Sequence, residues 1–107
     1  MLYRFKSQAT GDLVMLGPDG KRLLEIWHKD PSCEGVLLVE DMEKAAAALV
    51  ASADQEEAEV AKARAEAAAA GEPEPAPPQV PWRARIQPML ETLQYCRAES
   101  AALRWEV

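Results

Sequence analysis

The sequence predicts an α+β fold in which a small antiparallel sheet, an N-terminal hairpin plus a C-terminal strand, packs against helices. Three observations predict it. Two short strand-like segments near the N-terminus, the first alternating and the second apolar, flank the turn Ala9-Thr10-Gly11-Asp12. At the other end, Leu103, Trp105 and Val107 alternate with Arg104 and Glu106. Between them, 14 of the 30 residues from Asp41 to Ala70 are alanine, and none is glycine or proline.

Leu2 to Gln8 reads as the first strand. Tyr3 and Phe5 fall on one face and Arg4 and Lys6 on the other, the period of two of a half-buried strand. Leu13 to Leu16 reads as the second strand and is apolar at every position. So short a connection makes the pair an antiparallel hairpin. The first strand has a wet face and the second does not, so both faces of the second strand need cover, from helices or from another copy of the chain.

Gly17-Pro18-Asp19-Gly20 is a turn signal. Leu23, Leu24, Ile26 and Trp27 then fit the stripe of a short helix ending before Asp30-Pro31, the preferred reading. The same residues would also continue the hairpin as a third strand. Gly35 to Val39 is a short apolar stretch that leads, extended, into the next helix.

Asp41 to Ala70 is a helix on propensity alone, because alanine loses no rotamer freedom there. Asp41 is placed to cap it, and Glu43 suits the positive end of its dipole. Met42, Ala46, Leu49, Val50 and Ala53 form an apolar stripe that nearly vanishes after Asp54, so residues 54–70 are expected to project into solvent. Gly71 stops the helix. Five prolines in the eleven residues 71–81 predict an extended, semi-rigid spacer.

Ile86, Met89, Leu90, Leu93 and Cys96 recur at helical spacing. Pro88 interrupts them, which is reconciled if the helix begins near Arg83 to Arg85 and proline lies in its first turn. The C-terminal strand then joins the hairpin as its third member, closing residues 1–107 into a single domain. Because alanine buries little surface, the core must come from the two ends of the chain.

The net charge of −6 has a definite address. Glu40 to Glu74 carries ten acidic and three basic side chains, a net of −7, so the remainder sums to +1. An acidic middle argues against a nonspecific nucleic-acid binder, and Arg83, Arg85 and Arg97 are too ordinary a group on a helix to reverse that. Cys33 and Cys96 lack the density of a disulfide scaffold. No apolar run reaches the roughly 20 residues needed to cross a bilayer, and the alternating N-terminus lacks a signal-peptide core, so a cytoplasmic setting is expected.

Together the segments resemble a known family. Met1-Leu2-Tyr3-Arg4-Phe5-Lys6-Ser7, Gly11-Asp12-Leu13-Val14-Met15-Leu16-Gly17-Pro18 and Leu23-Leu24-Glu25-Ile26 are similar to a family of short bacterial proteins catalogued as domain of unknown function number eighteen-forty. Asp41-Met42 opening an Ala/Leu helix, Arg83-Ala84-Arg85-Ile86-Gln87-Pro88-Met89-Leu90, and a terminal Trp-x-Val match the same pattern. His28 departs from it, standing where the family pattern implies a glycine at the end of the short helix. The resemblance implies a bacterial cytoplasmic setting and transfers no catalytic residue.

Chemistry, if any, runs through His28, the only histidine. Asp30, Cys33 and Glu34 lie near it, but the spacing matches no zinc motif, and an exposed histidine at a helix end is the plainer account. A nucleophile at Cys33 or Cys96 needs activation by His28, yet Cys96 falls on a core stripe and Ser32 to Gly35 offers no oxyanion motif. Gly17 to Lys21 has the wrong spacing for a phosphate loop. Trp27, Trp82 and Trp105 are too scattered to stack bases.

The reading is therefore a noncatalytic module without metal or cofactor that associates with itself, as a homodimer, or with another protein. Leu13, Val14, Met15, Leu16, Trp27 and Trp105 are its expected contact residues. The runner-up is a small metal-dependent protein or enzyme centred on His28 with Cys33 or Asp30.

Overall fold

The computed structural model describes residues 2–107. Its elements in chain order are β1 (Leu2–Lys6), β2 (Leu13–Leu16), α1 (Gly17–Ile26), β3 (Gly35–Leu37), α2 (Val39–Ala69), α3 (Trp82–Ala98) and β4 (Leu103–Glu106). The architecture is α+β: a four-stranded antiparallel sheet of order β2-β1-β4-β3 with three helices against one face.

The two ends of the chain do meet. Phe5 pairs with Trp105 in the β1–β4 ladder. The expected sheet had three strands with the last one at its edge. A fourth strand exists instead, because Gly35 to Leu37 pairs with Leu103 to Trp105. That places β4 in the interior of the sheet, hydrogen-bonded on both sides.

Alternation decides which residues enter the core. Tyr3, Phe5, Met15, Leu37, Leu103 and Trp105 face the helices and are buried. α1 contributes Leu23, Leu24 and the adjoining Trp27; α2 contributes Met42, Ala45, Leu49 and Ala53; α3 contributes Trp82, Ile86, Met89, Leu93 and Cys96. On α2 the buried stripe therefore runs through Ala45, while Ala46 is half-buried and Val50 is exposed.

Several local expectations need correction. Residues 20–26 are helical, with Trp27 and His28 closing the helix, but the helix starts at Gly17, so Gly17-Pro18-Asp19-Gly20 is its first turn and not a separate loop. Proline is tolerated there because the first N–H groups have no partner within the helix. Gly20 packs so tightly beneath the Tyr3 ring that a β carbon would collide with it. Asp41 does not cap α2: the helix begins two residues earlier, behind Leu38, with Asp41 in its first turn. Pro88 lies inside α3, at its seventh residue. It leaves the Ala84 carbonyl without an i+4 donor, and burial of Ile86, Met89 and Leu93 on the opposite side of the helix outweighs that loss.

The proline-rich segment does not simply span a gap. Arg64 donates to the Pro75 carbonyl at 3.0 Å and pairs with Glu74 at 3.8 Å, folding residues 74–81 back along the distal half of α2. At its end Trp82 is anchored three ways. Its backbone N–H donates to Glu56 (2.9 Å), its indole N–H donates to Ser52 Oγ (2.8 Å), and the Arg22 guanidinium lies 4.1 Å from the ring centroid. Arg83 then clamps Glu57 and Asp54.

All three helices end on one motif. A residue of left-handed φ follows the last turn: His28 at 58°, Gly71 at 70° and Ser100 at 52°. In each case the next N–H reaches back five residues, Lys29 to Leu24, Glu72 to Ala67 and Ala101 to Cys96, at 2.8–2.9 Å. This is the Schellman arrangement, in which glycine carries no steric cost.

Candidate functional site

The helices cover only one face of the sheet. On the other, residues of opposite parity face outward: Leu2 is 51% exposed, Val14 47%, Leu16 66% and Val36 39%. Register groups them, with Leu2 opposite Leu16 and Arg4 opposite Val14. Leu2, Val14 and Leu16 thus make an apolar corner over β1 and β2. Arg4, Lys6, Arg104 and Glu106 occupy the middle of the same face, where Lys6 pairs with Glu106 at 3.1 Å.

The corner adjoins an open edge. β2 pairs with β1 on one side, and no described strand pairs with its other side. A shallow groove of about 200 Å³ runs along that free side, bounded by Asp19, Arg85 and Pro88. Arg85 holds Asp19 at 2.9 Å, so the groove wall carries a closed ion pair instead of loose charge. Edge strands are usually guarded by lysine, proline, a bulge or a covering helix. β2 has none of the first three within Leu13–Leu16, and α3 flanks it only across the groove, at Arg85 and Pro88.

Of the expected contact residues, Val14 and Leu16 are at this surface, Leu13 is half-buried, and Met15 points into the core. Trp27 and Trp105 lie in the core at 8% and 2% exposure and are not part of this surface. Leu2 belongs to the corner and was legible from parity, since it shares the face of Arg4 and Lys6.

His28 follows the end of α1, close in sequence to Asp30, Cys33 and Glu34. Asp30 Oδ1 accepts from the Ser32 N–H (2.8 Å) and hydroxyl (2.6 Å), and these bonds hold its carboxyl below the usual aspartate range. Partial desolvation, and then the neighbouring Asp30 carboxylate, push the Cys33 thiol up, away from the nucleophilic thiolate. Cys96 is buried, with its Sγ against Ser7 Oγ at 3.2 Å. Among the described residues no three His, Cys, Asp or Glu side chains converge to hold a metal. Arg83, Arg85 and Arg97 point to separate carboxylates, on Glu57 with Asp54, on Asp19 and on Glu43, and form no common basic patch. No described helix is long and apolar enough to cross a membrane.

Residues 1–105 match the family model described as Domain of unknown function (DUF1840). No curated protein and no solved structure matches the chain.

Proposed function

The chain belongs to the DUF1840 family, whose description names no activity, and from that premise we propose that it is a noncatalytic module that pairs with a second copy of itself through β2. The free edge of β2, uncharged along its whole length and flanked by the exposed Leu2, Val14 and Leu16, carries this reading.

A second copy suits this edge because a two-fold axis brings a patch against itself, and so demands a patch without net charge. Leu-Val-Met-Leu meets that demand. Antiparallel pairing of β2 with its counterpart gives an eight-stranded sheet with Val14 and Leu16 of both copies at the axis; Leu2 and Arg4, opposite them on β1, lie one strand farther out, and Arg104 on β4 one strand beyond that. The other edge of the sheet is a poorer candidate: β3 has three residues and follows Glu34. The exposed, unbridged thiol of Cys33 fits a reducing compartment such as the bacterial cytoplasm.

Light scattering coupled to size exclusion, from low micromolar to submillimolar concentration, tests this. The expected mass rises from one 11.7 kDa chain towards two, and Leu16→Lys, at an exposed position, holds it at one. A wild-type chain that remains single throughout overturns the proposal.

A further inference from the structure

Away from the open face, on the helical side of the sheet, a cavity of about 340 Å³ lies between the end of α1 and the opening turns of α2. Ile26, Trp27, Leu37, Ala45 and Ala48 supply its apolar lining, and His28, Lys29, Lys44 and Asp41 its polar lining. The Trp27 indole N–H donates to the Ala45 carbonyl at 3.1 Å, which fixes the ring against α2.

Charge gives this cavity a sign. In a chain of net −6, most lysines and arginines find a carboxylate. Among the described residues, eight of the twelve lie within 4.0 Å of one; Arg4, Lys29, Lys44 and Arg104 do not. Two of those four line this one cavity. His28 also stands in its wall.

We propose that the cavity binds a small aromatic monoanion, its ring against Ile26, Trp27 and Ala48 and its acid group at Lys29 and Lys44. The volume is at the lower end for ligand sites, which suits one or two fused rings. Asp41 stands in the same wall and repels a second negative charge, so a monoanion is favoured over a dianion.

The probe is 1-naphthoate, titrated into the whole chain and followed in ¹H–¹⁵N correlation spectra, with the neutral 1-naphthamide and naphthalene-1,4-dicarboxylate alongside. Saturable shifts are expected at the Trp27 indole and the Ala45 and Ala48 amides, with the amide and the dianion each about tenfold weaker. Lys29→Gln with Lys44→Gln is expected to weaken 1-naphthoate by about the same factor. Should that variant fail to fold, the acid-to-amide ratio on the wild-type chain decides alone. Shifts that do not saturate, that centre elsewhere, or that are equal for acid and amide overturn the proposal. Because the cavity is remote from β2, failure here leaves the self-association reading standing.

Discussion

The indole of Trp105 lies over the backbone of Gly35, its partner across the β3–β4 ladder, and leaves no room for a β carbon at position 35. The ring touches Phe5 and Trp27, at centroid distances of 6.0 and 6.3 Å, and its Nε1 is buried without a hydrogen-bond partner. The Trp105 indole is thus held by packing alone, while its backbone is paired in two ladders.

Gly35→Ala should therefore destabilise the fold by about 2 kcal/mol, because the ring can escape only by disturbing Phe5 and Trp27. Gly11→Ala, where a β carbon meets nothing within 4 Å, should change stability by less than about 0.5 kcal/mol. Urea unfolding of the two variants checks the contrast, and equal midpoints would contradict it.

Deleting residues 103–107 should abolish cooperative unfolding. β4 is interior to the sheet, so its loss strips β1 and β3 of a ladder each and removes Leu103 and Trp105 from the core. That exceeds the roughly 5–15 kcal/mol margin of a small domain. Removing Val107 alone, which lies outside the strand, should leave the melting curve in place. Circular dichroism melts distinguish the two truncations.

The three helix ends predict opposite signs for similar changes. His28→Gly and Ser100→Gly should each stabilise by about 0.5–1 kcal/mol, since glycine relieves the left-handed strain. Gly71→Ala should destabilise by about 1 kcal/mol for the same reason. Thermal shifts of all three check the account, and a destabilising His28→Gly would sink it.

A specific pH dependence follows from Arg83. Its guanidinium holds the Glu57 carboxyl below the ordinary value of 4.5. A carboxyl depressed on folding adds stability above its unfolded pKa and loses it as pH falls through the folded one. The contribution is present above pH 4.5 and fades below it, while Arg83, whose own pKa is raised by the Glu57 and Asp54 bonds, stays charged throughout. Arg83→Met should flatten the acid limb of stability between about pH 5 and 3. Glu57 is exposed, so the effect is small, and Asp30→Asn should remove the part due to the Ser32 hydrogen bonds. Melting temperatures across that range give the slopes.

Much of this architecture was legible in the sequence because its signals are local. Tyr3 and Phe5 against Arg4 and Lys6 declare a one-sided strand, and Leu103 with Trp105 declares another. β3 was not declared as a strand because three residues show no period, and the reason for Gly35 is a ring 70 positions away. Pro88 misled for the opposite reason: the rule against it is local, whereas burial of Ile86, Met89 and Leu93 is not. His28 and Ser100 hide their left-handed backbone, since neither is glycine. At the candidate surface the apolar run at Leu13 to Leu16 was visible. Its division into inward Met15 and outward Val14 and Leu16 needed the knowledge that helices cover one face only. The burial of Trp27 and Trp105 likewise follows from which side the helices take.

Isotope-filtered NOE spectra on a sample mixed from labelled and unlabelled chains test the central claim most directly. Cross-peaks between the Val14 and Leu16 methyl groups of different copies are the predicted result. A spectrum in which those methyl groups show contacts within one copy alone, or in which contacts between copies fall elsewhere, contradicts pairing through β2.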